Sequence, residues 1–304
     1  MSRRALVLAL AAAAGLALPV AWGVAVEPYR VDCREEAAVV PGLPPAWEAR
    51  RLALFGDLQV GILLANLATV RRVVRQVAAA RPAAALLAGD FLYRAVRDRA
   101  RQIRALVGLL EPLPAAGIPT YAVLGNHDYP VQHVMPDPSG AASARELREA
   151  FTAIGVRVLH NEALALDAPG ATGAEPGAAA LYLVGIGPHV PGADAPLAAI
   201  RQVPAGAARV VLMHNPASFQ ALPAGAAPLA LAGHTHGGQI RVPFKPEWSG
   251  WSWTRHRVQP ADGWLQGTGA PGNHLYVNRG IGFSCLPVRF GCPPELTFFT
   301  LHAA

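Results

Sequence analysis

Residues 52–61 read LALFGDLQVG. Four apolar residues, Leu52-Ala53-Leu54-Phe55, stop at Gly56 and hand over to Asp57, with Gln59 two positions on. A short apolar run without polar alternation reads as a strand buried on both faces. A carboxylate just beyond it stands where open α/β sheets build their sites, at the carboxyl end of a strand.

The arrangement recurs. AAALLA ends at Gly89-Asp90, IPTYAVL at Gly125-Asn126-His127-Asp128, RVVLM at His214-Asn215-Pro216, and APLALA at Gly233-His234-Thr235-His236. Helical patterns separate the first three runs. Asn66 to Arg81 carries Leu67, Val70, Val74 and Val77 on one face, and Ala95 to Leu110 is similar before Pro114 and Gly117 close it. Strands alternating with helices predict an α/β fold with parallel sheet elements. A lone Gly-Asp after a strand is an ordinary turn, and a lone histidine there is an ordinary core residue. Independent turns have no reason to put Asp, Asp, Asn-His-Asp, His and His-x-His at five successive strand ends, so together they predict a metal site.

The donor set is carboxylate, amide and imidazole without thiolate, which suits manganese, iron, zinc or cobalt. It holds too many donors for one tetrahedral ion. Two divalent ions about 3.5–4 Å apart, sharing one carboxylate, would use them all, hold a phosphoryl group and activate water. His127 is then free to assist a leaving oxygen, with Asp128 holding its ring.

The remaining composition narrows the classes. The 304 residues suffice for a large core, and a charged fraction of 15% argues against disorder. The formal net charge of +6 favours an anionic partner, but no dense basic run with interleaved aromatics occurs, so specific nucleic-acid binding is not expected. Of three cysteines, Cys285 and Cys292 are spaced for a disulfide or are two inert thiols. Arg3 and Arg4 precede an uncharged, mostly apolar run from Ala5 to Val26, long enough for a bilayer. Residues 1–26 therefore read as a membrane anchor with the rest facing the periplasm or exterior, or as a cleaved signal that releases a secreted protein. Residues 27–50, with VPGLPPAW, read as a tether, and 51–304 as the domain.

The series GD…GD…GNHD…H…GHTH resembles the calcineurin-like metallophosphoesterase family, over nearly the whole chain after residue 50. The resemblance implies a four-layer sandwich, two β-sheets flanked by helices, with a dimetal site at strand ends. It implies that Asp57 and His236 bind one metal, that Asp90 bridges, and that Asn126, His214 and His234 bind the second. It makes His127 the catalytic histidine. GHTHGGQIRVP and LYVNRGIGFSCLPVRFGCPPELTFFTL are similar to a membrane-associated branch with phosphodiesterases and enzymes resembling UDP-2,3-diacylglucosamine diphosphatase. The activity so implied is two-metal hydrolysis of phosphoric esters or anhydrides on an amphiphilic or lipid-linked substrate. A non-catalytic phospholigand-binding protein and a nuclease are the alternatives.

Three features depart from the pattern or extend it. The family's first motif usually reads Asp-x-His, whereas here it is Asp57-Leu58-Gln59, so Gln59 is an altered ligand or orients water. His189 in GIGPH and Arg279 in VNRG are candidate substrate contacts; a loop histidine and an internal ion pair are their ordinary readings. Arg241 to Trp264 holds Lys245, Trp248, Trp251, Trp253, Arg255, His256, Arg257 and Trp264. That mixture suits a membrane interface, a cover over the site, or a hairpin with a small tryptophan core.

Overall fold

The computed structural model describes residues 17–62, 64, 66–93, 98–129, 138–167, 180–250, 252 and 261–304. Helix α1 covers residues 17–25, and strand β1 follows at Asp32–Val40. The first three apolar runs form β2 (Arg51–Phe55), β3 (Ala84–Leu87) and β4 (Thr120–Ala122), with α2 (Leu67–Ala80), α3 (Arg99–Leu110) and α4 (Pro112–Ala115) between them. Next come α5 (Pro138–Ala153), β5 (Val156–Val158), β6 (Glu162–Leu166), β7 (Leu181–Gly185) and α6 (Pro196–Ile200). The last two runs are β8 (Arg209–Leu212) and β9 (Ala230–Ala232). A ribbon of β10 (Arg241–Val242) and β11 (Lys245–Ser249) precedes β12 (Gly263–Leu265), β13 (Leu275–Val277) and β14 (Glu295–Ala303).

Two six-stranded sheets result, ordered β1-β14-β2-β3-β4-β5 and β12-β13-β9-β8-β7-β6. The pairs β2–β3, β3–β4, β7–β8 and β8–β9 are parallel, so the five ligand-bearing strand ends face one edge of the molecule. Strand alternation sorts the core into layers. Leu52 and Leu54 pack between the sheets with Leu86, Leu212, Leu231 and Phe299. Ala53 and Phe55 face the other way, onto Val70 and Val74 of α2 and Leu106 of α3. Outside the second sheet, Val211 and Val277 pack with Ala199 and Phe219. Helices, sheet, sheet and a helical outer layer make the expected four-layer sandwich.

The stretch expected to be an irregular tether instead contributes a full strand. β1 runs parallel to β14 from Asp32–Glu295 to Val40–Ala303, and Trp47 is buried behind it. Four of its first five residues, Asp32, Arg34, Glu35 and Glu36, are charged, which blunts the edge and removes the apolar signature. Among the described residues no helix is long and apolar enough to cross a membrane. Much of the Ala5–Val26 run, residues 5–16, lies outside those residues, as do Trp251, Trp253, Arg255, His256 and Arg257.

The chain between α1 and β1 is docked. Arg289 N donates to Gly23 O at 2.9 Å, and the buried Glu27 carboxylate accepts from Trp22 Nε1 at 2.9 Å and from Cys292 N. Cys292 is a free, buried thiol that donates to the His236 carbonyl at 3.3 Å, while Cys285 is exposed, so the disulfide is absent. Glu27→Ala leaves a buried amide without its acceptor and is expected to destabilise the full chain by about 1.5–3 kcal/mol. A lower denaturant midpoint at unchanged slope checks this; an unchanged midpoint would show that the segment does not dock.

Candidate metal centre

Five of the seven candidate ligands sit in a backbone conformation that few residues adopt. Asp57, Gln59, Asp90, His234 and His236 have φ of 49°, 52°, 53°, 74° and 51°, in the left-handed region. Such turns cost of order 1 kcal/mol each for a residue with a Cβ, and their concentration at one strand edge marks a functional site. The loops interlock: Asp57 N donates to Gly89 O at 2.8 Å, Gln59 N to Asp90 O at 3.0 Å and Gly233 N to His214 O at 3.1 Å. Gly125 is required by close approach, because a Cβ there would lie 2.1 Å from Asp90 Oδ1.

Two groups of side chains converge and share Asp90. Asp57, Asp90 and His236 form one, and Asp90, His214 and His234 the other; within each, one ligand atom per residue lies within 4.8 Å of the rest. Asn126 Oδ1 sits 3.1 Å from His214 Nε2, on the second group. Gln59 joins the first, its Nε2 2.9 Å from Asp90 Oδ2 and 3.4 Å from His236 Nε2. His214 Nδ1 donates to Ala88 O at 2.7 Å, which turns Nε2 toward Asp90 and His234 Nδ1.

The electrostatics are those of a cation site. Burial, then the Asp90 charge, pushes Asp57 up to about 7 against the pull of His214. Burial also opposes ionisation of Asp90, yet the His214 and His127 charges hold it well below the usual carboxylate range. His214 is pushed up to about 9: burial opposes this, and Asp90's charge and hydrogen bond outweigh it. Burial and the nearby Arg289 charge keep His236 neutral, its pKa well below the ordinary value. Asp57 Oδ1, Gln59 Oε1 and His236 Nδ1 are buried with no hydrogen-bond partner among the described residues. Unpaired acceptors of this kind are costly unless an ion satisfies them, so the residues present fit divalent metal. To hold a cation, His214 would have to offer Nε2 without its proton.

Three sequence expectations change. Asp128 does not orient His127: its Oδ1 accepts from Phe91 N and Leu92 N at 2.9 and 3.0 Å, and its Oδ2 from Gly125 N at 2.8 Å. It ties the loops after β3 and β4 together. The His127 ring instead stacks on Tyr93, with centroids 5.1 Å apart at 29°, and its backbone N donates to Asp90 Oδ1 at 2.8 Å. Arg279 is buried and paired with Glu295 Oε2 at 2.6 Å, with Asp32, and with Asp262 at 3.6 Å, so it braces the interior rather than facing a phosphate. Its pKa is raised because these carboxylates outweigh burial. His189 lies on the loop after β7, its N bonded to Asn215 Oδ1 at 2.9 Å and its Nδ1 3.0 Å from Asp194 Oδ2. It is half-exposed and belongs to neither group.

Sequence reading missed two supports. Arg289 is wholly buried and donates to the carbonyls of Arg279, Gly280, Gly282 and Cys292. That holds the 279–282 turn against Asp57, where a Cβ on Gly280 (φ 66°) would sit 2.4 Å from Asp57 Cβ. Tyr93 is the other; nothing in the run DFLY distinguishes it from a core aromatic.

With two acid–imidazole groups sharing a buried carboxylate, the site is that of a metal-dependent phosphoester hydrolase, and sequence comparison agrees. The calcineurin-like phosphoesterase family matches residues 50–238, and the chain belongs to that family, whose centres use two divalent metal ions. Phosphodiesterase YaeI of Escherichia coli is 32% identical over 73% of this chain and 71% of its own length. The uncharacterized metallophosphoesterase YkuE of Bacillus subtilis is 26% identical over 91% and 87%. The UDP-2,3-diacylglucosamine pyrophosphatase LpxG of Chlamydia trachomatis is 24% identical over 75% and 77%.

Proposed function

We propose that the chain hydrolyses a phosphodiester or phosphoanhydride bond in an amphiphilic, membrane-borne substrate. Asp57, Asp90 and His236, with Gln59, would hold one ion; Asp90, Asn126, His214 and His234 would hold the other. The sharing of Asp90 between the two groups is the observation that carries this assignment. Two divalent ions supply positive charge to a phosphoryl group and acidify water. The chain's own residues do the rest. Asp90 and the Ala88 carbonyl fix the His214 ring, and His127, at the rim on Tyr93, donates a proton to the leaving oxygen.

The lipid character of the substrate is supported by the apolar N-terminal run and by a relative named for a diacylated sugar nucleotide. Arg3 and Arg4 ahead of that run support an anchor with the catalytic domain in the periplasm or exterior. Gln59 stands where an imidazole is usual, and its amide is a weaker donor, so the first ion is held less tightly and manganese is favoured over zinc. Gln59→His is expected to tighten that ion by about 10–100-fold, by analogy with single changes around metal sites. Unchanged affinity and preference would remove Gln59 from the ligand set.

The test is hydrolysis of bis-p-nitrophenyl phosphate and p-nitrophenyl phosphate by the full chain, metal-stripped and then supplied with manganese, iron, zinc or magnesium, with metal content measured alongside. Turnover restored with two ions per chain is expected. Two bound ions with neither ester hydrolysed would instead make it a phospholigand-binding protein.

A further inference from the structure

Eleven large apolar side chains are exposed among the described residues, and eight of them sit on only three segments. Five lie between Leu18 and Tyr29, two (Phe244 and Trp248) on the β10–β11 ribbon, and one, Leu286, on the loop that follows β13. Scattered exposed apolar residues need no explanation, but a concentration does.

The three segments are joined. Arg289 N donates to Gly23 O at 2.9 Å, Arg241 N to Phe290 O at 2.9 Å, Phe290 N to Gln239 O at 3.0 Å, and Gln239 Nε2 to Leu286 O at 2.8 Å. Gln239 is three residues beyond His236, so this edge borders the metal centre. At the ribbon's tip Phe244 is fully exposed and has φ of 63°. A bulky residue in the left-handed region is a strained turn, and here the strain presents a ring to solvent.

We infer that α1, the 284–288 loop and the β10–β11 ribbon form one edge that enters the headgroup layer of an anionic lipid bilayer beside the metal centre. Its rings carry cations: Lys245 Nζ lies 5.8 Å from the Trp248 ring centroid, and the Arg30 guanidinium 5.6 Å from that of Trp22. Aromatic bodies with a cation over the ring suit the boundary between acyl chains and anionic headgroups. The sequence ahead of α1, from Ala5, is uncharged and mostly apolar, so α1 continues a run of the composition that favours lipid. The net charge of +6 adds attraction to an anionic surface. The role of this edge in catalysis rests on the membrane-borne substrate proposed above: docked this way, the chain would take a headgroup phosphate without drawing the lipid out of the bilayer.

The experiment uses the full chain in vesicles of phosphatidylcholine and phosphatidylglycerol, with and without brominated acyl chains. Trp248 emission is obtained as the difference between the wild-type chain and Trp248→Phe. Brominated vesicles are expected to quench that difference. The double variant Phe244→Asp, Leu286→Asp is expected to lose the quenching while hydrolysing bis-p-nitrophenyl phosphate at the unaltered rate, which also shows that it is folded. Equal Trp248 emission in both kinds of vesicle overturns the inference, as does quenching that persists in the double variant. A dimer in detergent that the double variant abolishes, without lipid quenching in the wild type, would assign the edge to a second copy of the chain.

Discussion

Asp90→Asn is expected to lower turnover of bis-p-nitrophenyl phosphate by roughly 10³-fold, the upper end for loss of one charged group at a reacting centre, and to leave fewer than two ions bound. The reasoning is geometric. Asp90 is the only residue common to both side-chain groups, so its charge serves both positions. Asparagine keeps the volume and can still accept the His127 amide, so the loops after β3 and β4 stay in place. It cannot offer a second anionic oxygen toward Gln59 and His214, which lie 2.9 and 3.3 Å from Oδ2. Metal content by elemental analysis separates the loss of ions from the loss of chemistry. Full occupancy of both positions in the variant would show that Asp90 does not bridge.

The strand ends are legible in the sequence because strands buried on both faces are continuous apolar runs, and each run ends abruptly at polar chemistry. β2 and β3 show this, with almost every residue buried. Local reading fails where partners are distant in the chain. β1 lacks an apolar run because its first five residues, DCREE, are mostly charged, and only its pairing with β14, more than 250 residues away, makes it a strand. The fate of Asp128 follows from where the β3 loop's amides point, which the Asn-His-Asp spacing does not encode. Arg279 is spent on Glu295, itself fully buried and bonded to Tyr276 and Asn278; a buried polar network of this kind exists only after the sheets have assembled. Spacing therefore places the ligands, while the groups that brace them come from long-range packing.

His127→Ala should separate catalysis from metal binding. The contact that ties residue 127 to Asp90 is the backbone amide, at 2.8 Å, and alanine keeps it. The imidazole itself packs on Tyr93 at the rim, with Nε2 3.9 Å from Asp90 Oδ2. Removing the ring therefore leaves both ion positions standing and takes away a proton donor, a loss of about 10²–10⁴-fold for general acid catalysis. The size of the loss depends on what departs. A nitrophenolate leaves without much help, whereas an alkoxide needs its proton, so the variant should suffer least on bis-p-nitrophenyl phosphate and most on an alkyl phosphodiester. The measurement is kcat for a series of leaving groups, with metal content alongside. A steeper dependence on leaving-group acidity than in the wild-type chain, at two ions per chain, identifies the histidine as the acid. Loss of metal, or an equal loss on every ester, would mean that the ring only shapes the site.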